Sequence, residues 1–190
     1  RDNSVGNSNV SIGYYALRSK TTGTQNIALG QNALFGNLTG YCNVAIGYET
    51  LQCNTSGYHN IAIGNSASRL NTTGIFNIAI GNESLCTNTT GGYNVAIGYQ
   101  ILKAATNSAG NIGIGNSALQ CSVTSFDNIA IGLNALGGSA TQCYFQETVA
   151  IGHCAGRYAS GGQRNTFIGA SAGYNSTGVC YVVAVGNGAG

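Results

Sequence analysis

The sequence predicts an all-β fold, a parallel β-solenoid (β-roll) of about eleven 17-residue coils. Two observations predict it. A five-residue pattern, most often Asn-(Val/Ile)-Ala-Ile-Gly, returns along the whole chain, and its copies follow one another at a constant 17-residue step with a single 20-residue exception. A fixed period of this length is typical of repeat proteins in which each unit buries its apolar face against its neighbours. The copies begin at Asn9, Asn26, Asn43, Asn60, Asn77, Asn94, Asn111, Asn128, Thr148, Asn165 and Val182.

The five-residue pattern is predicted to form one strand of each coil. Its second and fourth positions are aliphatic in nearly every copy, as in Val44 and Ile46, and side chains two residues apart in an extended chain point to the same face. We therefore expect the aliphatic pair to fill the interior of the solenoid and the Asn, Ala and Gly to face outward. On this interpretation, Ile80→Asp destroys the rod, whereas Thr73→Ala in a turn is nearly neutral.

The rest of each unit is predicted to close the coil. The fifth residue is Gly in every copy, which indicates a repeated backbone demand such as a positive φ or a close approach of chains. A small residue followed by Leu, as in Ala33-Leu34, predicts a second side of the coil, and polar clusters such as residues 54–57 predict turns. We interpret residues 1–190 as a single solenoid domain and, because the chain starts and ends within the pattern, as a segment of a longer chain.

Composition narrows the classes of function. The chain contains no Pro, which suits a backbone whose N–H groups are needed for hydrogen bonds between coils, and only 6% of its residues are charged. Its seven basic and five acidic residues are scattered singly, so no basic face for nucleic acid is expected. The sequence has no apolar run of about 18 residues, so membrane insertion is not expected. We also expect no cofactor.

The chain has seven Cys residues, an odd number, so at least one is expected to stay free, to be buried or to link to another chain. Cys42 and Cys53 lie on neighbouring coils and flank a turn, which makes them the best candidate disulfide. Cys143 and Cys154 are a weaker second pair. His59 follows Cys42 in the same column of the repeat, but the spacings of a four-ligand metal site are missing, so no metal is expected.

Catalysis is not expected, and the chain is not interpreted as an enzyme. Glu49 and Glu83 share a column two coils apart, a separation of about 9.6 Å if coils stack at the strand spacing, which is near the upper limit for an inverting glycosidase. Their column otherwise holds mostly small polar residues, as a solvated face does. No column gathers Ser, His and Asp together.

Two surface features leave binding partners open. Tyr residues recur in columns, and exposed Tyr columns can stack on the sugars of surface or extracellular glycans, although they more often cover partner chains. Acceptor sequences for N-glycosylation recur in register. Glycans on consecutive coils would be only about 5 Å apart, so we expect at most some of these sites to carry a glycan at the same time. The candidate glycosylation sites are Asn37, Asn54, Asn71, Asn88 and Asn175.

The third position of the pattern predicts self-association. This column is small in all but one copy, and small side chains in an outward row would let the backbone of another chain approach closely. We therefore expect a self-association face made by Ala28, Ala45, Ala62, Ala79, Ala96, Ala130 and Ala150.

The unit Asn-(Val/Ile)-Ala-Ile-Gly-x-x-Ala-Leu resembles the repeats of trimeric autotransporter adhesin heads. It is still more similar to the repeats of phage and giant-virus tail fibres. The resemblance covers essentially the whole chain and is specific in the five-residue pattern. It implies a homotrimer of parallel chains that forms an extracellular fibre, on a virion or on a cell surface. The unit is longer than is typical of the adhesin heads, and the Cys residues are unusual for both families.

The sequence therefore predicts the structural and adhesive shaft of an extracellular fibre, without catalysis. The main alternative is a self-polymerising surface filament in which solenoids join end to end through their open coil edges. Two remote alternatives are an ice-binding solenoid, because Thr recurs near the turns, and a polysaccharide-cleaving solenoid.

Overall fold

A computed structural model describes residues 6–19, 21–138 and 143–190. All of its regular secondary structure is β-strand. Eleven short strands, one from each copy of the pattern, form one parallel sheet in sequence order, so ten complete turns separate the first strand from the last. The strands are β1 (Val10–Ile12), β2 (Ile27–Leu29), β3 (Val44–Ile46), β4 (Ile61–Ile63), β5 (Ile78–Ile80), β6 (Val95–Tyr99), β7 (Ile112–Asn116), β8 (Ile129–Ile131), β9 (Val149–Ile151), β10 (Thr166–Ile168) and β11 (Val183–Val185). The predicted β-solenoid is confirmed.

Each coil sits in register on the next. Within the sheet, Ala45 pairs with Ala62 and Ala62 with Ala79, so identical positions of the repeat stack in columns along the axis. The register survives the one lengthened step, because β8 pairs with β9 with Ala130 opposite Ala150. The lengthening is therefore absorbed outside the sheet.

The side of the coil opposite the sheet contains no regular strands in the described part of the chain, but it is also bonded from coil to coil. The amide of Leu34 donates to the carbonyl of Thr50 at 3.0 Å, and the amide of Leu51 donates to that of Ala67 at 3.2 Å. This side carries the buried Leu column that faces the sheet, and most of its members are fully buried. The core therefore runs as a thin layer between the two sides.

The structure corrects the predicted orientation of the strands. The Ala of each strand points into the coil, where Ala28, Ala45, Ala62, Ala79, Ala96, Ala130 and Ala150 are fully buried. The aliphatic pair points outward, and Val10 and Ile12 are exposed. The grouping of side chains into two faces is as predicted, but the inside and the outside are reversed. The reason is the thinness of the coil, since a Leu from the opposite side leaves room for only a methyl group from the strand.

The Asn that opens each pattern also lies inside, and the stacking of coils satisfies its amide. The Oδ1 of Asn43 accepts from the backbone N–H of Asn60 at 3.0 Å and from its Nδ2 at 3.1 Å. The same Nδ2 donates to the carbonyl of Gly74 at 2.8 Å. Repetition of these bonds makes an Asn ladder along the interior. A buried polar column is stable there because each amide finds its partners on the adjacent coil.

Three positions of the coil hold non-Gly residues in the left-handed region of backbone space. In the third coil these are Glu49, Leu51 and His59, with φ of 54°, 47° and 54°. L-residues pay roughly 1–2 kcal/mol for this conformation. The amides of all three donate to neighbouring coils, namely to the carbonyls of residues 31, 67 and 41. Hydrogen bonds to the adjacent coils therefore compensate for the unfavourable backbone conformation.

Candidate functional site

The first candidate functional surface is the outer face of the sheet. The side chains at the second and fourth positions of the five-residue pattern point outward in all eleven strands, and we call this surface the Val/Ile face. It includes Leu29, and its one polar residue is Thr166. Its residues are half-buried or exposed, and Ile12 keeps 59% of its surface accessible. Eleven strands at about 4.8 Å make this face about 48 Å long. Apolar patches of more than a few hundred Å² are uncommon on monomeric proteins and usually mark an interface.

The predicted self-association face therefore does not lie where the sequence placed it. The seven Ala residues of that prediction are enclosed by their own coil and cannot meet another chain. The surface that could meet another chain is the Val/Ile face on the other side of the same strands. Sequence reasoning missed it because aliphatic side chains were assumed to be internal.

An aromatic row lies just before the strands of the third to sixth coils. The rings of Tyr41 and Tyr58 stack with centroids 4.7 Å apart. The ring of His59 stacks on Phe76 at 4.9 Å, and that of Phe76 on Tyr93 at 5.3 Å. Stacked rings cover one another's faces, so this row offers mainly ring edges to a partner. The predicted stacking of sugars on Tyr columns is thus disfavoured here.

Glu83, one of the two carboxylates considered for catalysis, is held in an ion pair. Its Oε2 lies 2.7 Å from Nζ of Lys103 and accepts a hydrogen bond from Gln100 at 2.8 Å. These hydrogen bonds, first that from Lys103, hold the pKa of the Glu83 carboxyl below its ordinary value. Glu147 is paired with Arg164 at 2.9 Å, and this contact likewise lowers the pKa of its carboxyl. Both groups favour their ionised form, which makes them poor general acids.

The Thr residues near the turns are used by the solenoid itself. The hydroxyl of Thr55 donates to the carbonyl of Thr72 at 3.0 Å, and that of Thr72 donates to the carbonyl of Thr89 at 2.9 Å. These bonds link one turn to the next. They explain the recurrence of Thr without an external ligand.

No group of three or more His, Cys, Asp or Glu residues that could hold a metal ion occurs among the described residues. His59 packs within the aromatic row rather than beside a set of ligands.

The disulfide pairing differs from the prediction. Cys42 and Cys53 are both free of a disulfide, and the thiol of Cys42 donates to Oε1 of Gln25 at 3.3 Å. Cys154, in the weaker predicted pair, is also free. The disulfide joins Cys121 to Cys143, whose Cα atoms are 5.4 Å apart. The lengthened step of the repeat hid this pair, since it obscures which column Cys143 belongs to.

The candidate glycosylation sites differ in their burial. Asn37, Asn54, Asn71 and Asn88 are buried, and the Nδ2 of Asn54 donates to Oδ1 of Asn37 at 2.8 Å. These four side chains cannot carry a glycan in the folded solenoid, so their prediction as glycosylation sites is corrected. Asn175 is exposed and is the one candidate of the five that remains accessible.

In a comparison with known proteins, no family model, curated protein or solved structure matches this chain. Over the described ranges, no helix is long and apolar enough to cross a membrane.

Proposed function

We propose that this chain forms the structural and adhesive shaft of an extracellular fibre and that it has no catalytic role. The observation that carries the proposal is the Val/Ile face. A sheet face that repeats the same aliphatic pair at every coil can pack along its whole length against the same face of an identical, parallel chain. Burial of these side chains would contribute about 25 cal/mol for each Å² of apolar surface removed from water.

The resemblance to trimeric adhesin heads and tail-fibre shafts favours three chains around one axis. In this arrangement each coil contacts the same coil of its two partners. The same interface therefore repeats at every coil, whatever the number of coils. The Cys121–Cys143 disulfide supports an extracellular location, because disulfides persist mainly in oxidising compartments.

The second candidate function is a self-polymerising surface filament. Among the described strands, β1 and β11 each have a neighbour on one side only. Parallel strand edges can pair with another chain, so coils could stack end to end. Such a filament would grow through the coil ends and would not need the Val/Ile face.

Mass measurement tests the shaft and distinguishes it from the filament. We expect light scattering of the native particle to give three chains, and electron micrographs of the same sample to show short rods. End-to-end polymers of unlimited length would support the filament instead. A monomer would contradict both.

A double variant, Ile78→Asp/Ile80→Asp, tests the proposed interface. Both side chains point outward and are half-buried, so we expect the variant to keep its β-sheet circular dichroism while its mass falls to that of one chain. This expectation replaces the sequence-based one for Ile80→Asp, which assumed an internal side chain. Carboxylates brought together in an apolar interface cannot be solvated, which opposes association.

Ile78→Leu/Ile80→Leu is the matched control and should remain associated. Loss of the sheet signal in the Asp variant would show that the two side chains belong to the core.

A further inference from the structure

A groove of about 260 Å³ lies where the step of the repeat lengthens, between Asn128 and Thr148. Its walls come from three successive coils, at the bend between the turn and the strand. Two aromatic rings, Phe126 and Tyr144, and two amide side chains, Gln146 and Gln163, line it. None of its lining residues belongs to a strand, so the groove lies outside the Val/Ile face.

Two features of the sequence open the groove at this place. Gly161 lines it without a side chain, and a Cβ there would meet no atom within 4 Å. Phe145, a buried residue, occupies the position that is Gly in most earlier coils and is among the lining residues. The groove is thus a local departure from the repeat and not a feature of every coil.

The backbone around Tyr144 is fixed on both sides. The residue before it, Cys143, is tied to Cys121 by the disulfide. The residue after it, Phe145, donates its N–H to Oγ of Ser125 at 3.1 Å and accepts from Nδ2 of Asn128 at 3.0 Å. The groove is therefore organised before any ligand arrives, which lowers the entropic cost of binding.

A second part of the lining is equally regular. Phe126, Gln146 and Gln163 occupy one column and pair as successive parallel bridges. The Nε2 of Gln146 donates to the carboxylate of Glu147 at 3.2 Å. The amide oxygen of Gln146 can accept a hydrogen bond. The two amides thus lie one coil apart, about 4.8 Å along the axis.

These groups match the chemistry of a sugar ring. The faces of aromatic rings accept the apolar C–H face of a pyranose, and amides both donate to and accept from its hydroxyl groups. Among the described residues that line the groove, none has a charged side chain, so none of them would neutralise the carboxylate of an acidic sugar. Its volume is slightly below the range of about 300–1,000 Å³ typical of pockets for drug-sized ligands, which suits a single ring.

We propose that this groove binds one neutral pyranose ring of a surface glycan. The inference rests on the proposed function, because it supplies the adhesive contact that the shaft would make along its side. It also gives the Cys121–Cys143 disulfide a role, which is to hold Tyr144 in the binding position.

Saturation-transfer NMR tests the proposal on the full chain. The probes are the methyl glycosides of glucose, galactose, mannose and N-acetylglucosamine, with the methyl glycoside of N-acetylneuraminic acid as an acidic comparison. We expect at least one neutral glycoside to bind and the acidic one to bind more weakly. Binding of the acidic glycoside alone, or of none of the probes, would overturn the proposal.

Variants locate the site. Tyr144→Ala and Gln163→Ala should each weaken binding about tenfold, the equivalent of 1.4 kcal/mol, whereas Tyr144→Phe keeps the ring and should retain binding. Tyr99→Ala is the matched control, because Tyr99 and Tyr144 expose 47% and 48% of their surfaces. The substituted side chains are all exposed, so circular dichroism should stay unchanged. Wild-type binding by both Tyr144→Ala and Gln163→Ala would place the ligand elsewhere.

Reduction gives an independent measurement. Opening the disulfide with dithiothreitol should weaken glycoside binding while the sheet signal and the particle mass stay the same. Unchanged binding after reduction would contradict the role assigned to the disulfide. The mass of each sample separates the two proposals, since a trimer that binds no glycoside contradicts only the groove, and a monomer that binds one contradicts only the shaft.

Discussion

Replacing Gly64 by Ala is expected to lower the free energy of unfolding by about 3–5 kcal/mol, because strain and overpacking add. Gly64 has a φ of +132°, in a region that L-residues rarely adopt. A Cβ added there would lie 2.6 Å from the carbonyl oxygen of Gly81 and 2.8 Å from its carbon. Both atoms belong to the backbone of the next coil. Neither can move away without breaking the register of the sheet.

The matched control for this substitution is Gly178→Ala. Gly178 also has a positive φ, +66°, but a Cβ there would meet no atom within 4 Å. We expect it to cost only about 1 kcal/mol, the penalty of the left-handed conformation alone. Denaturant unfolding followed by circular dichroism, at one protein concentration for all variants, measures both. Equal losses in the two variants would show that the close approach of Gly64 and Gly81 is unimportant.

Replacing Asn60 by Ala should have an effect of similar size. The substitution removes the two bonds that Nδ2 donates, to Asn43 and Gly74, and the two that Oδ1 accepts from Asn77. The partners stay buried, and a buried polar group that loses its partner costs about 1–3 kcal/mol. We expect a loss of about 3–5 kcal/mol in total, since some of these partners retain a second bond.

Two further variants serve as a control and as a partial rescue for Asn60→Ala. Asn65→Ala alters an exposed amide of the same coil and should change stability by less than about 0.5 kcal/mol. Asn60→Thr should recover part of the loss, because Thr148 occupies the same column in the ninth coil, with its Oγ1 3.4 Å from the backbone nitrogen of Asn165. If Asn60→Ala were as stable as Asn65→Ala, the ladder would contribute little.

The fold was predictable because the repeat itself carries the information. The constant step sets the register, and the aliphatic pair places every strand, so that Val44–Ile46 and its counterparts lie where the pattern predicts. The side that faces inward was not predictable from alternation alone. Alternation divides side chains into two faces, and the choice between them depends on the width of the coil, which the pattern of Ala45 and Ile46 does not reveal.

The same limitation explains the site residues that were wrong. The amides of Asn37 and Asn54 matched an acceptor sequence, but their place inside the turn follows only from the stacking of coils. Cys121 and Cys143 are 22 residues apart, a separation that does not match the constant step of the repeat. The position of Leu34 and its counterparts was the available signal, since a Leu column opposite the strand leaves space only for Ala.

The left-handed residues of each coil also bear on how the chain folds. A lone coil would have to hold Glu49, Leu51 and His59 in unfavourable conformations, with no neighbouring coil to accept the hydrogen bonds that their amides donate. Formation of a single coil is therefore unfavourable, and we expect a few adjacent coils to form together as the nucleus. Once that nucleus exists, its end is a template that imposes its shape on the next stretch of chain. Folding of this chain is expected to resemble the growth of a one-dimensional crystal.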